Sequence, residues 1–250
     1  MKKMDSKGVS ETVGYLLILG VVIVSISYAY MHTHSMIEDT SSKFKAEGLR
    51  QSFKRIQNVL ASSTYGGAPL QSIQVELHGS FWIANDTYLR VLSNFSSNNS
   101  NLFEGYVKSL NYKYEDIEIV LENGAVWENN HGYKRAVEYP RIFVHKSYKP
   151  SPSGATETIV VIVVNRYVQD FSISGEGSVR LTFNTTSTSF QVYDGPGTVT
   201  ITVESPYAEL WYDFFETLPG DCELSGNTAN FTTYYDKLVL SEYDIVVQSI

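Results

Sequence analysis

Five Asn-x-Ser/Thr triplets, at Asn85, Asn94, Asn98, Asn184 and Asn230, are the most explicit chemistry in this chain. An asparagine amide in that setting can carry an N-linked glycan on the external side of a membrane. Asn94 and Asn98 fall in the polar stretch NFSSNNS, where an exposed loop is expected. Other reactive residue types are dispersed. His32 and His34 are two apart, which turns them to different sides of a helix and separates them as metal ligands. His78, His131 and His145 show no zinc-ligand spacing. Glu115, Asp116 and Glu118, and later Asp213, Glu216 and Asp221, offer oxygen ligands suited to calcium. They lack the D-x-D-x-D frame with its fixed glycine and read as solvated acidic faces. Cys222 is the single cysteine, so it forms no internal disulfide and reads as a partly buried small residue. Trp82, Trp127 and Trp211 could build a sugar-stacking face, although such residues more often fill the core and rim of a β-sandwich. There is no phosphate-binding glycine loop, G-x-S-x-G, H-E-x-x-H or S-x-x-K. No metal, no cofactor and no enzymatic activity are expected.

The elements that position these residues begin with residues 13–31 (VGYLLILGVVIVSISYAYM), an uncharged run about as long as a helix needs to cross a hydrocarbon core. Lys2, Lys3 and Lys7 precede it, and the next cation is Lys43. The positive-inside rule therefore puts the N-terminus in the cytoplasm and the C-terminal domain outside the cell membrane. The run is too long for the apolar core of a secretory signal peptide, and SYAY is a poor cleavage site. A formal charge of −8 argues against nucleic acid as a partner.

The boundary ahead of the span has its own character: a basic leader, residues 1–8, ends in Gly8, and Val9-Ser10-Glu11-Thr12-Val13-Gly14 leads into the apolar helix. It resembles the class III signal sequence of archaeal type IV pilin-like proteins, over about 25 residues. That resemblance implies cleavage between Gly8 and Val9 by a prepilin peptidase. It also places Ser10 and Gly14 where the archaeal pattern has Ser and Gly. The bacterial pattern has its acidic residue fifth in the mature chain, whereas Glu11 would be third. Cleavage removes three Lys and one Asp and takes the net charge from −8 to −10. Gly14 and Gly20 would let neighbouring helices approach closely, although six residues apart they do not make G-x-x-x-G.

Beyond the span, Met36, Ile37, Phe44, Leu49, Phe53, Ile56 and Leu60 recur near three and four among charged residues, which predicts an amphipathic continuation of the helix. Continuous from Ser10 to about Ser63 within an N-terminal segment of residues 9–65, the helix would be roughly 80 Å long, ending at Gly66-Gly67-Ala68-Pro69. The period then changes to two. Strands are expected over residues 70–77, 106–114, 117–121, 141–145, 179–183, 189–193, 198–203, 230–235 and 237–245, with residues 158–164 as a central strand buried on both faces. Asn123-Gly124 marks a tight hairpin before residues 125–127, and Asp194-Gly-Pro-Gly197 a turn. Residues 207–217 read as a short helix with Pro206 at its first turn. The fold class is therefore mainly β with a long N-terminal α-helix: a transmembrane and amphipathic helix, then a β-sandwich-like extracellular domain over residues 66–250.

The expected role is a pilin-like surface protein, a minor pilin or pseudopilin, joining like subunits in a filament or membrane complex through its N-terminal helix. By resemblance its partners are the membrane, a prepilin peptidase, and a pilus-assembly ATPase with its platform. The alternative is an uncleaved, membrane-anchored extracellular binding module contacting the cell surface or carbohydrate. A third reading, an anchored hydrolase, would need Cys222 or an acidic pair lining a cleft.

Overall fold

A computed structural model describes residues 6–95, 98–148 and 156–249. Lys2 and Lys3 of the leader lie outside the described residues. The chain divides into two compact units, Met1–Gly48 and Leu49–Ile250, and helix α1 (Ser6–Thr64) contributes to both.

In the first unit, residues Val13–His34 of α1 form a helix long and apolar enough to cross a membrane, and none of it is buried. Met36, Ile37 and Phe44, expected to extend the apolar stripe of the second half, are exposed. The step from Phe44 to Leu49 is five residues, which rotates about 140° around the helix and leaves the stripe. In the second unit Leu49, Phe53, Ile56 and Leu60, at spacings of four, three and four, are buried as that periodicity requires. The helix stops where expected: Gly66 N–H donates to Ala61 O at 3.1 Å and Ala68 N–H to Ser62 O at 3.2 Å, satisfying its last carbonyls.

The rest of the second unit is two sheets. The smaller contains β2 (Ser80–Ala84), β5 (Ser109–Tyr114), β6 (Ile117–Glu122), β7 (Ala125–Asn130), β8 (Tyr133–Glu138) and β11 (Ser172–Ser174), in the order β11-β2-β5-β6-β7-β8. The larger contains β1 (Leu70–Leu77), β3 (Tyr88–Phe95), β4 (Asn98–Tyr106), β9 (Ile142–Tyr148), β10 (Thr156–Tyr167), β12 (Gly177–Glu204), β13 (Asp221–Ser225) and β14 (Thr228–Ser249). Its path is β4-β3-β12-β14-β10-β9, with β1 beside β12 and β13 beside β14. Among these pairings only β10 with β14 is parallel. The architecture is thus mainly β and sandwich-like, as the period-two patterning demanded.

The Asn123-Gly124 hairpin forms with φ of 46° and 80°, the positive pair that a two-residue turn of matching twist needs. Several expected strands fuse, however. Residues 179–183, 189–193 and 198–203 are one strand, β12, because it pairs with β14 almost throughout, and the irregularities between Thr185 and Ser187 and between Asp194 and Gly197 absorb its bends. The Asp194-Gly-Pro-Gly197 segment is therefore a kink and not a reversal, with Gly195 at φ 126°. Residues 230–235 and 237–245 likewise join in β14. The expected strand 106–114 is divided, Tyr106 closing β4 and Ser109 opening β5, because Lys108 turns the chain at φ 58°. Strand β10 is buried on both faces only from Ile162 onward; Thr158, Ile159 and Val161 are half-buried.

Helix α2 (Ala208–Glu216) starts after Tyr207, so Pro206 lies before its first turn. Ser205 Oγ accepts the Tyr207 N–H at 3.0 Å, a local turn that leads into the helix. Its Ala208, Leu210, Trp211, Phe214 and Phe215 are buried. Trp211 meets Trp127 of β7 edge-on with ring centroids 5.8 Å apart, and Phe215 stacks on Phe231 of β14 at 5.2 Å. The helix therefore joins both sheets in one core with Val160, Ile162, Val199 and Ile201. Each such side chain contributes about 2–3 kcal/mol by leaving water.

Candidate functional site

The first candidate is the bare helix itself. Within residues Val13–His34 the large side chains Leu16, Leu17, Ile18, Val21 and Val24 are all more than half exposed. A Cβ added at Gly14 or Gly20 would meet nothing within 4 Å. Val13, Leu16, Leu17, Gly20, Val21 and Val24 edge an open apolar groove of about 540 Å³. Ser25 Oγ donates back to Val21 O at 2.8 Å, so the hydroxyl is satisfied inside the helix, as a hydrocarbon setting requires. His32 and His34 are paired four residues back with Tyr28 and Tyr30, centroids 5.4 and 5.9 Å apart, which keeps them on different sides. Tyrosine and histidine at the C-terminal end of the apolar stretch suit a membrane–water boundary. Gly8, Val9 and Ser10 belong to α1.

The second candidate lies where residues 49–64 of α1 seat on the small sheet. Phe53 stacks on Phe81 at 5.8 Å and touches Tyr112 at 6.3 Å. Beside this contact Arg50 and Arg135 both donate to Glu128, Arg50 Nη2 to Oε1 at 2.8 Å and Arg135 Nη2 to Oε2 at 2.8 Å. Burial pushes the Glu128 carboxyl upward, but the two guanidinium groups outweigh it and hold it below the usual range. Gln57 Nε2 donates to the carbonyl of Gly124, and Lys54 meets Glu138 at 3.0 Å. The Asn123-Gly124 hairpin is thereby fastened to the helix.

On the opposite face of the same hairpin, Glu122 is fully buried. It accepts from Trp211 Nε1 at 2.7 Å and from Ser205 Oγ at 3.0 Å. Burial pushes its carboxyl up to about 7, against the pull of those donors, and Asp86 adds to the rise. Glu122 and Glu128 went unremarked in the sequence. The available signal was their setting: a hairpin reading IVLENGAVWE is apolar on both faces and leaves no room for an exposed carboxylate.

The glycan acceptors divide by access. Asn85 and Asn94 are exposed, but Asn94, expected in a loop, lies within β3, where it pairs with Thr198 of β12 and Asn99 of β4. Asn184 and Asn230 are half-buried inside β12 and β14, and Asn230 Oδ1 accepts from Thr202 Oγ1 at 2.8 Å. Asn98 opens β4; its side chain lies outside the described residues. Trp127 and Trp211 are core residues and Trp82 is half-buried, so the tryptophans form no sugar-stacking face. Cys222 sits half-buried on β13 against the core. His131 faces Asp116 at 3.4 Å, His78 faces Glu76 at 3.7 Å and His145 is exposed. Tyr207 donates to Glu118 at 3.3 Å and Tyr212 to Glu216 at 2.8 Å. Among the described residues no group of three His, Cys, Asp or Glu is placed to hold a metal ion.

Comparison with known proteins gives a lineage. The profile of a family of unknown function, DUF7289, matches residues 7–248. An uncharacterized protein of Archaeoglobus fulgidus is similar at 25% identity, over 72% of this chain and 71% of its own length. No solved structure matches the chain significantly.

Proposed function

The chain belongs to the DUF7289 family of unknown function, and from that premise we propose that it is a pilin-like surface protein of an archaeal cell, non-catalytic, assembling through its N-terminal helix. The observation that carries this reading is the apolar stretch of α1, which has none of its length buried and therefore needs lipid or like helices around it. The Gly8 and Val9 boundary supports cleavage by a prepilin peptidase, and the archaeal relative supports the source. Lys2, Lys3 and Lys7 orient the chain with its N-terminus inside, the β domain faces outward, and the freed helix exchanges lipid for neighbouring subunits. Assembly then draws on an ATPase and platform of the pilus type.

Mass spectrometry of the mature protein tests this. A chain beginning at Val9 is expected, and Gly8→Leu should leave it unprocessed. A chain beginning at Met1 overturns the pilin reading and favours the second one, an uncleaved anchored binding module. The exposed Tyr106, Tyr133 and Tyr148 of the β domain favour such a contact role.

A further inference from the structure

Strand pairing leaves one gap in the larger sheet. On one side β12 is bonded to β14 along residues 181–204. On the other side β1 covers residues 177–184 and β3 covers residues 197–204. Among the described residues no strand lies against residues 185–196 on that side. β1 and β3 thus stand in line, like two ends of one strand whose middle is missing. Thr185 N–H closes the near end by donating to Pro69 O at 2.8 Å. Past it, every second residue turns its N–H and C=O into the gap, since the alternate residues serve β14.

Natural edges are usually blunted by charge, proline or a covering segment. Asp194 and Pro196 blunt the far end of the gap, but residues 186–193 (TSTSFQVY) contain neither charge nor proline. Phe190 is 65% and Val192 43% exposed, and Val192 stands opposite the half-buried Val239. The other face is acidic at its near end, where Ser187 and Ser189 stand opposite Asp244 and Glu242, and apolar beyond, where Gln191 and Tyr193 stand opposite the buried Leu240 and Leu238. Arg166 meets Asp244 at 2.7 Å. At the near end a hydroxyl-lined pocket of about 280 Å³ opens among Ser63, Thr64, Thr185, Thr186, Ser187 and Thr188.

We propose that this gap binds an extended segment of another protein, added as a strand beside β12, with apolar residues against Phe190 and Val192 and basic residues toward Glu242. Backbone hydrogen bonds supply the affinity and the two faces the selectivity. At about 3.3 Å per residue the open part of the gap accepts roughly eight residues. The occupant is a single free-running segment and not a second copy's β12. That edge is recessed in its own copy by the same flanking strands, each about 4.8 Å wide, so two such edges cannot meet. The site does not depend on whether the leader is cleaved.

The test uses the full chain in nanodiscs at physiological salt and a labelled peptide, VKVTVKVTV, read by fluorescence anisotropy. Saturable binding is expected. It should weaken about tenfold or more when the peptide is fully N-methylated, when its Lys are replaced by Glu, or when the protein carries Phe190→Glu. Glu242→Gln should abolish the preference for the Lys over the Glu peptide, and bound peptide should slow amide exchange within residues 186–193. Absence of saturable binding, indifference to N-methylation, or slowed exchange only elsewhere overturns the proposal. So does concentration-dependent self-association that Phe190→Glu removes, which would make a second copy the occupant.

Discussion

The guanidinium of Arg50 closes on the carboxylate of Glu128, Nε to Oε2 and Nη2 to Oε1, with the Glu128 side chain 1% exposed. This forked contact fixes the rotation of the helix about its own axis over the β6 and β7 hairpin, because both hydrogen bonds need the guanidinium plane aligned. Arg50→Met leaves Glu128 with Arg135 alone, and the cost expected for uncovering a buried charge is about 2–4 kcal/mol. Arg135→Met should cost less, since its side chain is 41% exposed. Denaturant unfolding followed by the fluorescence of the buried Trp127 and Trp211 measures both. Equal costs would show that Arg50 has no special place. Because the carboxyl of Glu128 is held low in the fold, its share of stability is present above about pH 4.5 and is lost as pH falls through the folded value.

Glu122 acts in the opposite sense. Its carboxyl is raised from 4.5 to about 7, so between those values the folded chain holds a proton that the unfolded chain has released. Stability therefore declines as pH rises through that window, by up to about 3 kcal/mol, and is unaffected by this group below it. Glu122→Gln should flatten the curve between pH 4.5 and 7 and leave the variant at least as stable as the parent at pH 8. A parent curve with no such decline, measured by the same unfolding, would contradict the assignment.

Glycan occupancy should follow access. Asn85 and Asn94 are exposed, whereas Asn184 and Asn230 are half-buried and Asn230 already accepts from Thr202. In protein purified from its own cells, intact mass should fall by a glycan in Asn94→Gln or Asn85→Gln. It should be unchanged, apart from the residue itself, in Asn184→Gln and Asn230→Gln. The converse pattern would mean that modification precedes folding of the sheet.

Local signals carried much of the fold. The four-three-four spacing of Leu49, Phe53, Ile56 and Leu60, the stop at Gly66 to Pro69, and Asn123-Gly124 each act within a few residues, and each is found where its chemistry requires. Strand continuity was not legible, because it depends on a distant partner. Asp194-Gly-Pro-Gly197 has the composition of a turn, yet β14 holds the chain straight across it. Pro196 is tolerated because it lies in the uncovered stretch between β1 and β3, where a missing N–H leaves no partner on that side unpaired. The short strands β11 and β13 lack periodicity of their own and exist through the registers of β2 and β14. Of the site, the apolar helix was plain from composition, while Glu122 and Glu128 took their meaning from Trp211 and Arg50, each more than seventy residues away in sequence.

The position of β14 sets a timetable. It follows every other strand in sequence yet occupies the middle of the larger sheet, antiparallel to β12 and β13 and parallel to β10. Until the ribosome has made it, β10 and β12 have no common neighbour, and the sheet stays in separate pieces. A nascent chain in that condition holds β3 with β12 and β9 with β10 as two unjoined ribbons, and the larger sheet becomes continuous only when the final residues close between them.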